Sequence, residues 1–458
     1  MTIATIDPTT GELVQEFSAH TASEVEAILA RADAANRALS RTSFTQRAEW
    51  MRRAADLLDA DLSHAAGLAA LEMGKTLATA EYEVTKSANG MRWYADHAED
   101  YLAAERPIAA AAVGASDAAV VFQPLGTVLA VMPWNYPFWQ VIRFAAPALM
   151  AGNTGLLKHA SSVPQTALYL GDLFARAGFP AGAFQTLLIE GAAASALIDD
   201  RRIRAVTLTG SVGAGSAVAS AAGRNVKKSV LELGGTDAFV VLPSADVTRS
   251  AQFGAASRTQ NSGQSCICAK RFFVHDDVYD AWLDAFVAQM AATRFGDPRD
   301  AATGFGPMAT EQVRADAHEL VTDAIGKGAA VLTGGELPDG PGWFYPATVL
   351  TGVTSEMRIF REECFGPVAC VYRVSSIDEA IAAANDSEFG LAASVWTQDA
   401  VEIAQLQDEL EFGAVFANGN SASFFGLPFG GVKDSGYGRE LGAYGIREFV
   451  NAKVVWTA

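Results

Sequence analysis

Two segments of this chain carry side chains suited to covalent catalysis. The first reads Gln260-Asn261-Ser262-Gly263-Gln264-Ser265-Cys266-Ile267-Cys268. A cysteine just after a Gly-Gln turn in a polar loop is a candidate nucleophile, because a thiolate needs partial exposure and dipolar support. The second is Val230-Leu231-Glu232-Leu233-Gly234-Gly235, an apolar run that ends on a carboxylate beside two glycines. Such a carboxylate is costly unless it is solvated, paired or used to accept a proton. Together they would supply a nucleophile and a general base. Each also has an inert reading, Cys266 as a buried structural thiol and Glu232 as a satisfied structural acid. A third segment, Gly210-Ser211-Val212-Gly213-Ala214-Gly215, follows the apolar run Ala205–Thr209. A glycine turn from strand to helix presents backbone N–H groups to a phosphate, although taken alone it also fits an ordinary strand–helix turn.

The combination LELGG and NxGQxC, with 34 positions from acid to thiol, resembles the aldehyde dehydrogenase superfamily. The resemblance runs from Asp7-Pro8-Thr9-Thr10-Gly11-Glu12, through Pro133-Trp134-Asn135-Tyr136-Pro137 and Glu362-Glu363-Cys364-Phe365-Gly366-Pro367, to Pro428-Phe429-Gly430-Gly431-Val432-Lys433. It implies that Cys266 adds to an aldehyde and that Asn135 and the Cys266 N–H steady the oxyanion. Hydride then leaves for a nicotinamide, and Glu232 activates the water that releases the acid. For the cofactor it implies Trp134, Asn135, Lys158, His159, Ala160, Ser161, Gly210, Ser211, Leu233, Glu363 and Phe365. NAD-preferring members often carry a glutamate three residues after the ribose lysine. Here Ser161 stands there, so NADP is the expected cofactor, with NAD also accepted.

Within the superfamily, LLKHAS, QNSGQSCICAKRF and the short C-terminus look most like bacterial succinate-semialdehyde dehydrogenases. A carboxylate-bearing substrate needs a cation opposite the thiol. The resemblance gives that role to Arg143, eight positions after Asn135, with Ser423 and Tyr136 also at the substrate. A second arginine found in some of these enzymes six positions before the nucleophile is Gln260 here, and Arg258 lies two residues off. Glutarate semialdehyde and small aliphatic aldehydes are therefore alternatives, and a non-catalytic scaffold on the same fold is a remote one. Cys268 resembles the partner in a reversible redox pair, and equally fits a bystander filling a small gap.

Positioning these groups calls for two α/β lobes. The first hundred residues read as helical over Ser23–Leu39, Thr45–Leu71 and Thr76–Tyr101. From Gly126 the pattern changes to short apolar runs (Gly126–Met132, Thr154–Lys158, Phe184–Glu190, Ala205–Thr209, Val230–Leu233) alternating with helical stretches. A second set follows at Ala238–Leu242, Phe272–Val274, Ala329–Thr333, Val368–Tyr372 and Leu391–Val395. Parallel sheets covered on both faces are expected, with the motifs meeting at strand C-terminal ends in a cleft between the lobes. The fold expected is α/β and aldehyde dehydrogenase-like, with two Rossmann-like lobes plus a small β element. By resemblance, 1–105 and 125–234 bind the cofactor, 235–427 form the catalytic domain, and 106–124 with 428–458 form an oligomerisation element. That element is expected as a hairpin near Arg106–Phe122 joined by the tail Phe449–Trp456, in a homodimer or homotetramer.

Composition narrows the classes. The chain has 458 residues, half of them hydrophobic, and a net charge of −18. Such a surface repels phosphate backbones and anionic lipid, so neither nucleic acid nor membrane is an expected partner. The start MTIATIDPTTGELV lacks the basic and apolar regions of a signal peptide. Four cysteines and six scattered histidines match no disulfide framework or zinc template. A cytoplasmic, metal-free enzyme acting on a small aldehyde is the expectation.

Overall fold

The computed structural model describes residues 2–458. The chain enters through an antiparallel hairpin, Ile3–Asp7 against Glu12–Phe17, turned through Gly11 at φ 78°. Sequence patterning misses this hairpin because its outer strand is exposed at almost every position and shows no alternation. Four helices follow, at Ala22–Leu39, Phe44–Ala60, Leu62–Met73 and Leu77–Tyr101. Thr21 and Glu24 form a reciprocal cap at the first. The continuous helix expected over Thr45–Leu71 is interrupted at Asp61, whose carboxylate accepts from Tyr169 at 3.0 Å and Arg176 at 2.9 Å.

The first large sheet has six strands in the order Gly436–Tyr437, Lys228–Glu232, Ile203–Thr209, Thr127–Met132, Thr154–His159, Phe184–Thr186. All pairs are parallel except the first. Registers of Met132 with His159 and of Thr209 with Glu232 bring four strand C-terminal ends to one edge. The Trp134–Tyr136, Lys158–Ser161, Gly210–Ser211 and Leu233–Gly234 segments all leave from that edge. The strand expected to reach Glu190 stops at Thr186.

The second sheet has seven strands in the order Ala330–Thr333, Thr348–Thr351, Val368–Val374, Arg271–His275, Ala238–Val241, Ala392–Trp396, Ala414–Ala417. Only the first pair is antiparallel. Here the expectation of strand C-terminal ends needs correcting. Cys266 precedes the strand Arg271–His275, and Glu363 precedes Val368–Val374, so this lobe offers its strand N-terminal ends to the cleft. The cause is connectivity. Glu232 ends a strand of the first sheet, and only Leu233–Asp237 separate it from Ala238 in the second. Asp237 gathers those N-terminal ends, accepting from Ala392 N at 3.1 Å through its carboxylate and from Lys270 N at 3.0 Å through its carbonyl.

The remaining strands join the lobes or stand outside them. Val432–Lys433 pairs with Phe389–Gly390 in the second lobe, and Gly436–Tyr437 then enters the first sheet. Of the segment 428–458, only Val450–Thr457 joins the separate two-stranded sheet, paired with Asp117–Pro124. The hairpin expected near Arg106–Phe122 is present only as one antiparallel bridge, Glu105 with Val120, closed across a 3-10 turn at Ala110–Val113. That stretch, rich in small alanines, has no buried residues to hold a second strand.

Candidate active site

The loop before Cys266 is built from an unusual backbone. Asn261, Ser262 and Gly263 are consecutively left-handed, at φ 55°, 58° and 74°. Such a turn opposes the preference of L-residues and persists only when its surroundings hold it. Ser262 Oγ donates to the Gly306 carbonyl at 2.9 Å, and Asn261 Nδ2 to the Asn135 carbonyl at 2.8 Å. Gln264 Oε1 accepts from Ala309 N at 2.9 Å. A Cβ on Gly263 would strike the Gly366 carbonyl, so only glycine fits. Arg258 is fully buried beneath the loop and donates to the carbonyls of Ala269 at 3.1 Å, Gly263 at 2.7 Å and Gly366. Its guanidinium is thus consumed by the scaffold and does not reach a substrate.

Cys266 is half-buried and lines a cavity of about 220 Å³ with Tyr136, Trp139, Gln140, Arg143 and Ser423. Burial pushes its thiol up to about 12, against the pull of Arg143 and Lys270 and with the push of Glu363 and Asp237. The loop carbonyls are tied from below by Lys270, which donates to Cys266 O at 2.8 Å and Ser265 O at 3.1 Å. The same ammonium pairs with Glu363 at 3.1 Å. Cys268 is buried under the loop, its thiol donating to Ser265 O at 2.9 Å and Gly263 O at 3.4 Å, and all four cysteines are free. Asn135 is 3 % exposed and donates from Nδ2 to the Gln264 carbonyl at 3.1 Å, leaving its second N–H uncommitted.

Glu232 is 2 % exposed, and neither carboxyl oxygen has a hydrogen-bond partner among the described residues. Its backbone is fixed by the first sheet and by Gly210 N, which donates to Glu232 O at 3.0 Å. Gly430 makes room for the carboxyl, since a Cβ there would sit 2.6 Å from Oε1. Burial raises this carboxyl well above the ordinary range, and Glu440 raises it further, while Arg143 and Arg439 oppose the shift. Glu440 is itself raised by burial and held down by Arg143.

Arg143 lies on the helix Trp139–Ala151, ion-paired with Glu440 and 4.6 Å above the Phe429 ring. Glu83 caps that helix by accepting from Phe138 N at 2.8 Å and Trp139 N at 2.9 Å. Glu83 also pairs with Lys75, whose ammonium sits 3.8 Å above the Tyr136 ring. Tyr136 Oη accepts from Gln260 Nε2 at 2.6 Å. Ser423 Oγ accepts from Lys86 Nζ at 2.9 Å and Trp139 Nε1 at 3.1 Å.

The Cys266 thiol, whose loop is bonded to the Asn135 amide, and the unpartnered Glu232 carboxyl thus both lie in the field of Arg143. The family model of the aldehyde dehydrogenase family matches residues 1–455. The chain belongs to the aldehyde dehydrogenase family. It is 65% identical to an aldehyde dehydrogenase of Paenarthrobacter nicotinovorans over 100% of both chains. It is 55% identical to the NADP(+) succinate-semialdehyde dehydrogenase 1 of Mycobacterium tuberculosis H37Rv, again over 100% of both. The structure of succinic semialdehyde dehydrogenase from Streptococcus pyogenes in complex with NADP+ superposes with a TM-score of 0.96, at 35% identity over 99% of each chain. The α/β architecture above is therefore the aldehyde dehydrogenase fold.

An NAD(P)-dependent aldehyde dehydrogenase must hold a dinucleotide, and the residues where the first sheet's strands end have groups that fit one. Lys158 is half-buried with no ion-pair partner among the described residues, and burial lowers its affinity for its proton. Ser211 caps the helix Val212–Arg224 by accepting from Ala214 N at 3.3 Å, and a Cβ on Gly213 in its first turn would meet nothing. Gly215 gives Leu233 room to pack, since a Cβ there would lie 2.6 Å from that side chain. Trp134 and Phe365 stand edge to face at 5.7 Å. Ala160 and Ser161 follow Lys158 at the strand end, both half-buried. His159 departs from its expected role. Its ring is 5 % exposed, lies 3.0 Å from the Pro137 carbonyl through Nε2, and accepts from Ala160 N at 3.0 Å through Nδ1. Burial lowers it to about 4, so it is a neutral brace.

Sequence reasoning missed Lys75, Glu83, Lys86 and Glu440. A signal existed for two of them, Glu83 and Lys86. Thr79, Tyr82, Glu83 and Lys86 all line the cavity and recur at helical spacing, which marks one face of the helix Leu77–Tyr101.

Proposed function

We propose that this aldehyde dehydrogenase oxidises succinate semialdehyde to succinate with NADP+. The observation that carries the reading is the cavity beside Cys266, where Lys75, Lys86 and Arg143 face a single lining carboxylate, Glu83. A chain of net charge −18 that keeps three cations at its thiol is suited to an aldehyde bearing its own carboxylate. The names of the mycobacterial and streptococcal relatives agree with it.

In this reading the Cys266 thiol loses its proton to solvent as Sγ bonds to the aldehyde carbon, and the uncommitted N–H of Asn135 and the Cys266 backbone N–H receive the oxyanion. When bound, the oxidised nicotinamide would supply the hydride acceptor. Loss of hydride leaves a thioester on Cys266. Glu232 takes a proton from water, hydroxide adds to the thioester, and succinate departs from the thiol. The six-stranded lobe holds the cofactor, the seven-stranded lobe supplies the thiol, and the exposed faces of Val454 and Trp456 meet another copy of the chain. Steady-state kinetics with succinate semialdehyde and butanal test the substrate. We expect kcat/KM to favour the charged aldehyde by roughly 100-fold or more, and equal values would overturn the reading.

Cofactor choice follows from Lys158 and Ser161. A hydroxyl beside an unpaired ammonium accepts a 2′-phosphate, whereas a carboxylate would repel it. Ser161→Glu should move the kcat/KM ratio of NADP to NAD toward NAD by about tenfold or more. An unchanged ratio would remove Ser161 from cofactor selection.

A further inference from the structure

An oxyanion donor helps only if it points where the charge forms, and an asparagine on a loop is free to swing. Asn135 lies in such a loop, between the strand Thr127–Met132 and the helix Trp139–Ala151. The residue that opens that helix is Phe138, which has no side-chain oxygen for the first helical N–H groups. Glu83 serves them instead, reaching in from the helix Leu77–Tyr101. Its Oε1 accepts from Phe138 N at 2.8 Å and Trp139 N at 2.9 Å. Its other oxygen pairs with Lys75, which follows the left-handed Gly74 (φ 77°) in the tight turn between two helices. Lys75 Nζ sits 3.8 Å above the Tyr136 ring, and Gln260 holds the hydroxyl of that ring at 2.6 Å. One buried ion pair thus grips the chain on both sides of Pro137, at Tyr136 and at Phe138, immediately beyond Asn135.

Stability does not account for the pair. Lys75 is 3 % exposed and Glu83 2 %. Taking two charges out of water costs about what their attraction returns, so apolar side chains of similar volume often hold a fold as well or better. A serine or aspartate in place of Phe138 would cap the helix without burying an ion pair. What the pair adds to a cap is a fixed direction for the turn that carries the oxyanion donor. We propose that Lys75 and Glu83 are positioning residues that aim the Asn135 amide at the developing oxyanion. This role rests on the reading of Asn135 given above and names the groups that make that amide effective. The near side of the loop is held separately, by Asn261 Nδ2 on the Asn135 carbonyl at 2.8 Å. Loss of the pair therefore loosens the turn without releasing it.

The test is a double-mutant cycle on the rate of the first turnover, followed as reduced cofactor by stopped flow with NADP+ and saturating butanal. Butanal brings no charge to the cavity, so a change in cavity charge does not enter. Glu83→Gln keeps an oxygen for the two N–H groups and breaks the ion pair. It should slow the first turnover roughly 10- to 100-fold, the usual weight of a small misplacement of a catalytic group, with KM close to that of the wild type. In an Asn135→Ala background the same change should cost less than about twofold, because residues that act through one another are not additive. Glu83→Gln combined with Lys75→Met leaves no unpaired buried charge, so it should melt like the wild type and still turn over slowly. If the loss from Glu83→Gln multiplies in full with that from Asn135→Ala, the positioning role is overturned while Asn135 keeps its own. A wild-type first turnover in the doubly neutral variant overturns it equally. If Asn135→Ala by itself leaves the first turnover unchanged, the reading of Asn135 has failed and takes the positioning role with it.

Discussion

Glu232→Gln should release about one equivalent of reduced cofactor per active site and then nearly stop, with steady-state turnover down roughly 10²- to 10⁴-fold. The side chain is 2 % exposed and its carboxyl oxygens make no hydrogen bond among the described residues. An amide of the same shape therefore breaks no protein contact, and the fold should survive. What disappears is the proton acceptor for the hydrolytic water, so the thioester accumulates on Cys266. The pH dependence has a definite sign. Burial and Glu440 raise this carboxyl well above its ordinary value, so at low pH it is protonated and cannot act as base. Deacylation in the wild type should rise with pH through that elevated value, and the variant should lose the rise. Stopped-flow absorbance of the reduced cofactor measures burst and steady state together. A variant with no burst would place Glu232 before hydride transfer, and one with ordinary turnover would exclude it as the base.

Asn135→Ala should act on the opposite half of the cycle. Removing one oxyanion donor typically costs about 10²- to 10³-fold in kcat, roughly 3–4 kcal/mol of barrier. The loss falls on attack and hydride transfer, so the burst seen in the wild type should become slow and then vanish into the steady state. One N–H of Asn135 is spent on the Gln264 carbonyl, and the loop keeps its other supports from Ser262, Gln264 and Arg258. The variant should therefore fold, with a KM close to that of the wild type. A change confined to KM would show that Asn135 positions substrate and does not stabilise the transition state.

Much of this site was legible in the chain because its parts are contiguous. Trp134-Asn135-Tyr136, Gly210-Ser211, Glu232-Leu233 and the loop to Cys266 are short runs in which glycines and polar residues interrupt apolar strands. The polarity of the second sheet was not legible, because a parallel strand reads alike from either end. It follows only from how few residues lie between Glu232 and Ala238. Single residues were hidden for another reason. Lys86 sits in a helix whose charges look like an ordinary solvated face, and Glu440 belongs to a segment with no period at all. Arg143 was visible, but its ion-pair partner Glu440 belongs to a distant part of the chain, and only the tertiary fold brings the two together.

The two crossings between the lobes lie together. Leu233–Asp237 passes one way and Asp434–Ser435 the other, laced by Leu233 N to Ser435 O at 3.0 Å and Ser435 Oγ to Gly234 O at 2.7 Å. Side by side, they form one short seam that fastens the strand end carrying Glu232 to both sheets. The lobes are tied again far from that seam, by Trp343 N to Pro8 O at 2.9 Å and Leu77 N to Pro298 O at 3.0 Å. A carboxyl fixed from two sides in this way keeps its place relative to the second sheet as firmly as to its own.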